Sequence, residues 1–334
     1  MTVADLVIVG GTALLAWPML RAGWPEIAGG YGHRLKGGLD DHGDAISLDD
    51  HDGVNGRRTE RDRGVRPAAR LLLWVCNRFD YGAVGDDAWY ATIRGLASRP
   101  AVTLVSSTPF EWKYAQLLRA TPLPSPAVLR PIGLLAPTEP RSESPAAIPH
   151  ASRRSIVFVL PKINEARLDL AASLAARGVG VWTPGIWPDG MQQWGGPRGV
   201  ADFLAAVHVP YAPTTFALYE HAQHGLLTFV PSARLMLSLY ETRGLFFQAT
   251  SSDTVTTGHG APALDAALLA TTEWYAPDNA PCFVYFDSLD DLVARLANTD
   301  FGARKREMRA WAAEHTNTTL ARWRMIDAAL LGSE

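Results

Sequence analysis

Short apolar segments alternate with amphipathic helical segments along this chain, and that alternation limits the available folds more than any other feature of the sequence. Residues 71–76 form a continuous apolar run, which is typical of a strand buried on both faces. A helical segment beginning near Asp87, a second short strand at residues 102–105 and a helix beginning at Thr108 follow this run. Strands separated by helices favour a parallel sheet with crossover helices.

The same alternation returns in the second half of the chain. Further apolar runs are predicted to be strands, at residues 155–160, 179–182, 203–209, 226–230 and 283–286. Residues 303–331 are predicted to be helical, with Trp311 and Trp323 as packing anchors. We therefore expect an α/β protein with two Rossmann-like domains, parallel sheets and a deep cleft between the domains.

Composition divides the chain into parts. We predict an N-terminal domain at residues 1–135, a proline-rich linker at 136–154, a C-terminal domain at 155–316 and a closing helix at 317–334. Residues 37–70 hold seven Asp and six Arg but almost no large apolar side chains. Because such a segment buries too little apolar surface to offset its ordering entropy, we predict that it is a mobile loop.

Charge and cysteine content exclude several classes of protein. The 31 Lys and Arg nearly balance the 34 Asp and Glu, so no strong positive field is available to attract nucleic acid. Two cysteines are too few for a disulfide framework or a four-thiolate zinc site, which favours a reducing, cytoplasmic location. The apolar run at residues 6–20 is shorter than the roughly 20 residues that span a bilayer.

A strand–loop–helix–strand unit at residues 208–232 carries the strongest functional signal. Its helix is predicted at about residues 216–224. The backbone N–H groups at the start of this helix, together with the Thr214 and Thr215 hydroxyls, would face an anion. Glu220 lies one to two turns further along, where a carboxylate can accept hydrogen bonds from both hydroxyls of a ribose. The unit therefore suits a nucleotide diphosphate. The structural alternative for Glu220 is an ordinary exposed helix Glu.

This unit resembles the donor-binding unit of the GT-B glycosyltransferases, in which Glu-x-x-x-x-Gly is followed by a strand. The match here lies at Glu220, Ala222 and Gly225, and in outline the resemblance extends over residues 155–330. It implies that the C-terminal domain binds a nucleotide-sugar donor, with Glu220 on the ribose and Lys162 on the diphosphate. The donor-binding residues that it implies are Lys162, Asn164, Tyr211, Thr214, Thr215, Glu220 and Ser232.

The resemblance also bears on the reaction. Many retaining members carry a second Glu eight positions before the first, where this chain has Ala212, and this difference favours an inverting transfer. An inverting transfer needs a base to take the proton of the acceptor hydroxyl. The candidate catalytic residues are Asp80, which follows the apolar run at residues 71–76, and Glu111. Each has a structural alternative, since Asp80 suits a turn and Thr108-x-x-Glu111 is a capping box.

The same features indicate the expected partners. Lys162 and the helix dipole would stabilise the departing diphosphate, so we expect no metal and no cofactor beyond the nucleotide-sugar substrate; for Lys162 the alternative is an ordinary solvated turn. We expect a carbohydrate or lipid-linked acceptor, as in polysaccharide biosynthesis, with any membrane association peripheral rather than transmembrane. Two other functions stay open: a catalytically inactive GT-B-like protein that binds a nucleotide or sugar, and a nucleotide-sugar epimerase on the same fold.

Overall fold

A computed structural model describes the greater part of the ordered elements expected from the sequence. The described residues are 6–9, 70–75, 87–100, 102–119, 127–133, 155–160, 162–183, 201–247 and 264–331. Asp80, the predicted linker at residues 136–154 and all but the last residue of the predicted mobile loop at residues 37–70 lie outside them.

Within these residues, the N-terminal part of the chain forms a four-stranded parallel sheet. In spatial order its strands are β1 (Leu6–Val9), β2 (Arg70–Val75), β3 (Val102–Ser106) and β4 (Ala127–Val128). Helix α1 (Asp87–Ala97) lies between β2 and β3 in the chain, and α2 (Pro109–Arg119) lies between β3 and β4. The predicted order of strand, helix, strand and helix is therefore confirmed for β2, α1, β3 and α2.

Both helices form where their side-chain patterns predict them. Helix α1 buries Trp89 and Ile93, which share one face because they are four residues apart. Helix α2 begins at Pro109, and the Thr108 hydroxyl accepts a hydrogen bond from Phe110 N at 3.0 Å, as expected of an N-cap. Thr108 therefore caps the first turn of α2, as the sequence predicts.

The C-terminal part forms a second parallel sheet, for which the structure describes five strands. In spatial order they are β6 (Val181–Trp182), β5 (Val157–Val159), β7 (Ala205–Val207), β8 (Thr228–Pro231) and β9 (Phe283–Phe286). Helices α3 (Ile163–Arg167) and α4 (Leu170–Ala175) connect β5 to β6 on one side, after which the chain crosses to β7 on the other side. The direction of winding therefore reverses between β5 and β7.

Helices occupy most of the remaining described residues. They are α5 (Phe216–His224), α6 (Ala233–Arg243), α7 (Ala266–Leu269), a 3₁₀ helix (Pro277–Cys282), α8 (Leu289–Asn298) and α9 (Phe301–Leu331). Helix α5 ends at Gly225 as predicted, because the left-handed φ of +76° at that residue suits a glycine. The sequence analysis did not predict α6, although Ser232 and the apolar residues after it have the required spacing.

A continuous apolar cluster joins the two parts of the molecule. It contains buried residues of α1 and α2 together with residues from β5, β7, β8 and β9. Across this contact, the rings of Phe110 on α2 and Phe247 meet edge to face, with centroids 6.0 Å apart. The two parts are therefore held together by apolar packing as well as by the covalent chain.

Helix α9 contacts both sheets. Met308 and Ala312 belong to the large apolar cluster, whereas Trp323 and Ile326 pack against a small apolar cluster of the first sheet. The helix runs without a break through residue 316, where the sequence analysis placed a domain boundary.

In the part of the chain that the structure describes, no helix combines the length and apolar character needed to cross a membrane. The predicted α/β class with parallel sheets is confirmed.

Candidate functional site

The candidate site lies at the edge of the second sheet where β5 and β7 end. The two strands pair directly, with Val159 opposite Val207, and the winding reverses between them. Ligands of open parallel sheets bind outside the carboxyl ends of the strands at such a switch point. The turn after β5 and the loop at residues 208–215, here called the β7 loop, both leave the sheet at this edge. Predicted donor-binding residues in these two segments are Lys162, Tyr211, Thr214 and Thr215.

Asn164, on the first turn of α3, fastens neighbouring loops together. Its side chain is 0% exposed. The Nδ2 group donates to the Pro210 and Phe246 carbonyls, each at 2.8 Å, and Oδ1 accepts from Phe246 N at 2.8 Å. The amide predicted to bind the donor thus contacts backbone groups and supports the β7 loop from inside the protein.

Glu165, the next residue of α3, forms a buried pair with His208 at the end of β7. Glu165 Oε1 lies 2.6 Å from His208 Nδ1 and also accepts a hydrogen bond from Val209 N at 2.8 Å. Both residues are 3% exposed, and a buried polar pair is stable only when each member compensates the other. The sequence analysis assigned neither residue to the site. The available signal was the position of His208 directly after an apolar strand.

Aromatic rings enclose the His208 imidazole. The Trp274 ring centroid lies 4.8 Å from that of His208, and Tyr211 meets the imidazole edge-on at 5.8 Å. The Lys162 ammonium lies 5.8 Å from the centre of the Tyr211 ring, which is a cation–π contact. Burial, followed by the negative charge of Glu165, raises the pKa of Tyr211. The fold therefore makes neighbours of Lys162 and Tyr211, as the donor-site hypothesis requires.

The N-terminus of α5 follows the β7 loop. Thr215 is the N-cap residue, with extended backbone, but its side chain makes no capping hydrogen bond. Thr214 is 6% exposed, and its Oγ1 has no hydrogen-bond partner among the residues described. The first N–H groups of a helix have no partner within the helix and attract anions. Both threonines thus lie at a helix end that can accept an anionic group.

Glu220 and Ser232 differ in their surroundings. Glu220 is half-buried on α5, and this burial raises the pKa of its carboxyl group. Ser232 is the N-cap of α6, where its hydroxyl accepts from Leu235 N at 3.2 Å and donates to Asp287 at 2.6 Å. The Ser232 hydroxyl therefore already has a structural function, whereas the setting of Glu220 is compatible with a ligand contact.

The structure describes one of the two candidate bases. Asp80 lies outside the described residues. Glu111 lies in the first turn of α2 and is 3% exposed, and its neighbour Phe110 packs against Phe247 of the C-terminal part. Glu111 is therefore buried near the contact between the two parts of the molecule.

A second polar network, which the sequence analysis did not predict, connects the segment after β4 to α5. Arg130 Nε lies 3.2 Å from Glu273, and the guanidinium also pairs with Asp278. The Tyr219 hydroxyl and Asn279 Nδ2 both donate to the Glu273 carboxylate. Burial raises the pKa of Glu273 although the Arg130 charge and these hydrogen bonds act to lower it. Arg130 therefore has a structural role in this network.

An open cavity of about 490 Å³ lies elsewhere, beside the edge strand β9. Two arginines that line it are engaged within the protein, since Arg295 pairs with Asp291 and Arg304 pairs with Glu307. Strands β7 and β8 separate β9 from β5, so this cavity is distinct from the candidate site. Among the described side chains, no three His, Cys, Asp or Glu residues form a group that could hold a metal ion.

Comparisons of the chain with protein-family models, with curated proteins and with solved structures find no match. The functional proposal therefore depends on the sequence motif around Glu220 and on the geometry at the ends of β5 and β7.

Proposed function

We propose that this protein is a glycosyltransferase that moves a sugar from a nucleotide-diphosphate donor to a hydroxyl acceptor, with inversion and without a metal. One observation carries the proposal. At the point where the winding of the second sheet reverses, Lys162 lies on Tyr211, and the β7 loop leads into a helix N-terminus that has no side-chain cap. A diphosphate is the ligand that such a positively polarised edge favours.

The roles of the residues follow from their positions. The diphosphate would lie at the start of α5, with hydrogen bonds from backbone N–H groups and from Thr214 and Thr215. Lys162 would stabilise the negative charge that develops on the leaving group as the bond to the sugar breaks. Glu220, further along α5, would accept hydrogen bonds from the ribose hydroxyls, which is the role that the GT-B resemblance implies.

The finer architecture belongs to the same proposal. Each parallel sheet would form a Rossmann-like domain, with the acceptor bound on the first sheet and a cleft between the two. The α9 helix supports this arrangement because it packs against apolar clusters of both parts. The catalytic base would be Asp80 or Glu111. Because Glu111 is buried, its use as a base would require the two parts to open. Cytoplasmic location and a carbohydrate or lipid-linked acceptor complete the proposal.

Nucleotide binding provides the first test. Thermal unfolding would be measured with UDP, GDP, ADP, CMP and dTDP, each with EDTA, for the wild type, Glu220→Ala and the control Glu241→Ala. Glu241 is an exposed glutamate on α6 and is not one of the predicted donor-binding residues. A nucleotide at 100 times its dissociation constant should stabilise the wild type and the control by about 2.7 kcal/mol. The Glu220→Ala variant should be stabilised clearly less.

Two results would contradict the donor site. The first is the absence of stabilisation by every nucleotide, and the second is equal stabilisation of the wild type and Glu220→Ala. With a binding nucleotide known, its sugar derivatives would be incubated with candidate acceptors. A new glycosidic bond supports transfer, an isomerised nucleotide-sugar indicates an epimerase, and unchanged donor indicates a binding protein.

A further inference from the structure

Several buried polar atoms at the candidate site lack a hydrogen bond. Among the residues described, Glu165 Oε2, His208 Nε2 and Thr214 Oγ1 have no partner. Folded proteins seldom leave buried polar atoms unpaired, so each such atom calls for an explanation. His208 and Thr214 belong to the β7 loop, and Glu165 is bonded to that loop. These three atoms therefore belong to the candidate site, although other buried polar atoms among the described residues, such as Gln223 Oε1 and Asn279 Oδ1, also lack a partner.

We propose that His208 is a further ligand-binding residue, whose Nε2–H donates a hydrogen bond to a phosphate oxygen of the donor, and that Glu165 is its positioning residue. The inference rests on the proposed function, because it adds a phosphate contact to the same donor site. It also gives that site a pH dependence, since only the protonated imidazole carries a hydrogen on Nε2 while Nδ1–H is bonded to Glu165.

The Glu165 contact determines which nitrogen is available. Glu165 Oε1 lies 2.6 Å from Nδ1, so that nitrogen donates to the carboxylate in both protonation states. The neutral ring then presents a lone pair at Nε2, and the protonated ring presents an N–H. A phosphate oxygen is a strong acceptor for a charged donor.

Loop support alone does not account for the imidazole. Glu165 already holds the β7 loop through the hydrogen bond from Val209 N at 2.8 Å. An apolar ring would fill the space beside Trp274 without leaving an unpaired nitrogen in the interior. A ligand contact explains why a histidine, with a second nitrogen, occupies position 208.

Other ionisable groups lie around His208. Lys162 and Tyr211 lie on the side of the β7 loop, and Glu165 lies on α3. His221 approaches from α5, but burial, followed by the charges of His208 and His224, lowers its pKa to about 3. His221 is therefore neutral at the pH values of the test.

Access to Nε2 requires a movement, because His208 is 3% exposed. Trp274 is fully buried and fixed by the hydrogen bond from its Nε1 to Ala212 O at 2.8 Å. Tyr211 is only half-buried and contacts the imidazole edge-on. Tyr211 is therefore the side chain that would move when a phosphate binds, and Lys162 would move with it towards the ligand.

The test measures binding of inorganic pyrophosphate, and then of the nucleoside diphosphates named above, from about pH 5.5 to 8.5. Calorimetry would compare the wild type with His208→Gln, Glu165→Gln and the control His224→Gln. Pyrophosphate and the nucleoside diphosphates also gain and lose protons over this pH range. The readout at each pH is therefore the dissociation constant of His208→Gln divided by that of the wild type. At pH 6 we expect His208→Gln to bind roughly tenfold more weakly, with the ratio approaching one at high pH.

A second measurement needs no variant. In ¹⁵N-labelled wild-type protein, the His208 ring signals should shift on addition of pyrophosphate. The control His224→Gln should bind like the wild type. Equal affinities of the wild type and His208→Gln at every pH, with unshifted ring signals, would overturn the inference.

The outcomes also separate the two proposals. Nucleotide binding without an effect of His208 removes this inference and leaves the proposed function intact. Pyrophosphate binding that depends on His208, without any nucleotide binding or sugar transfer, supports the anion contact and removes the glycosyltransferase proposal. Absence of binding by both probes removes both.

Discussion

Replacement of Asn164 by alanine should destabilise the protein strongly. The amide is 0% exposed and makes hydrogen bonds of 2.8 Å with the Pro210 carbonyl and with both the N–H and the carbonyl of Phe246. Alanine would leave these three backbone groups without their partner and would open a small cavity. Since each buried unpaired group costs about 1–3 kcal/mol and some groups will find water, we expect a loss of roughly 3–5 kcal/mol.

The assay is urea unfolding followed by tryptophan fluorescence, because Trp274 is buried close to this site. The matched control is Asn298→Ala. Asn298 is exposed, and its Nδ2 donates to Ala294 O within the same helix at 2.7 Å. Its replacement should change the free energy of unfolding by less than about 0.5 kcal/mol, since alanine also favours the helix.

A third variant tests the direction of the hydrogen bonds. Asn164→Asp keeps the size of the side chain and the acceptor for Phe246 N but replaces the donor with an oxygen. That oxygen would face the Pro210 and Phe246 carbonyls, so at pH 7 this variant should be less stable than Asn164→Ala. If Asn164→Ala lay within 1 kcal/mol of the wild type with an unchanged urea dependence, the assigned role of this amide would be wrong.

Two further predictions concern packing and pH. The pKa of His221 is lowered to about 3, chiefly by burial, so the unfolded chain binds a proton below about pH 6.5 that the folded protein does not. Lowering the pH from 7 to 5 should therefore cost the wild type about 2 kcal/mol more than His221→Gln in urea unfolding; equal losses would contradict the neutral, buried histidine. At Gly133 an added Cβ would lie 2.7 Å from Tyr219 O, so Gly133→Ala should destabilise by about 1–3 kcal/mol. The control Gly95→Ala has no atom within 4 Å of the new Cβ and should stabilise α1 by about 0.5–1 kcal/mol; a neutral Gly133→Ala would show that α5 shifts freely.

Local patterns predicted much of the fold. Strand β9 and helix α5 have the bounds that the sequence indicated, because apolar runs, an N-terminal threonine and a C-terminal glycine act over a few neighbouring residues. Because these signals act over short distances in the chain, they also allowed Thr214, Thr215 and Glu220 to be assigned to one strand–loop–helix unit. Helix α6 was not predicted, although Ser232 caps it.

Contacts between distant segments could not be predicted in this way. Glu165 and His208 are 43 residues apart, and Arg130 and Glu273 are 143 residues apart, so neither pair leaves a spacing pattern in the chain. Their meeting depends on the order of strands in the sheet and on how the helices pack, which are tertiary properties.

The sequence by itself thus determined the alternation of elements, the parallel α/β class and the motif around Glu220, because hydrophobic periodicity and capping are local. Only the tertiary structure decided that Asn164 supports the β7 loop, that Glu111 is buried and that His208 is held by Glu165. Burial and hydrogen-bond partners depend on residues far away in the chain, and these long-range contacts give each polar side chain at the site its environment.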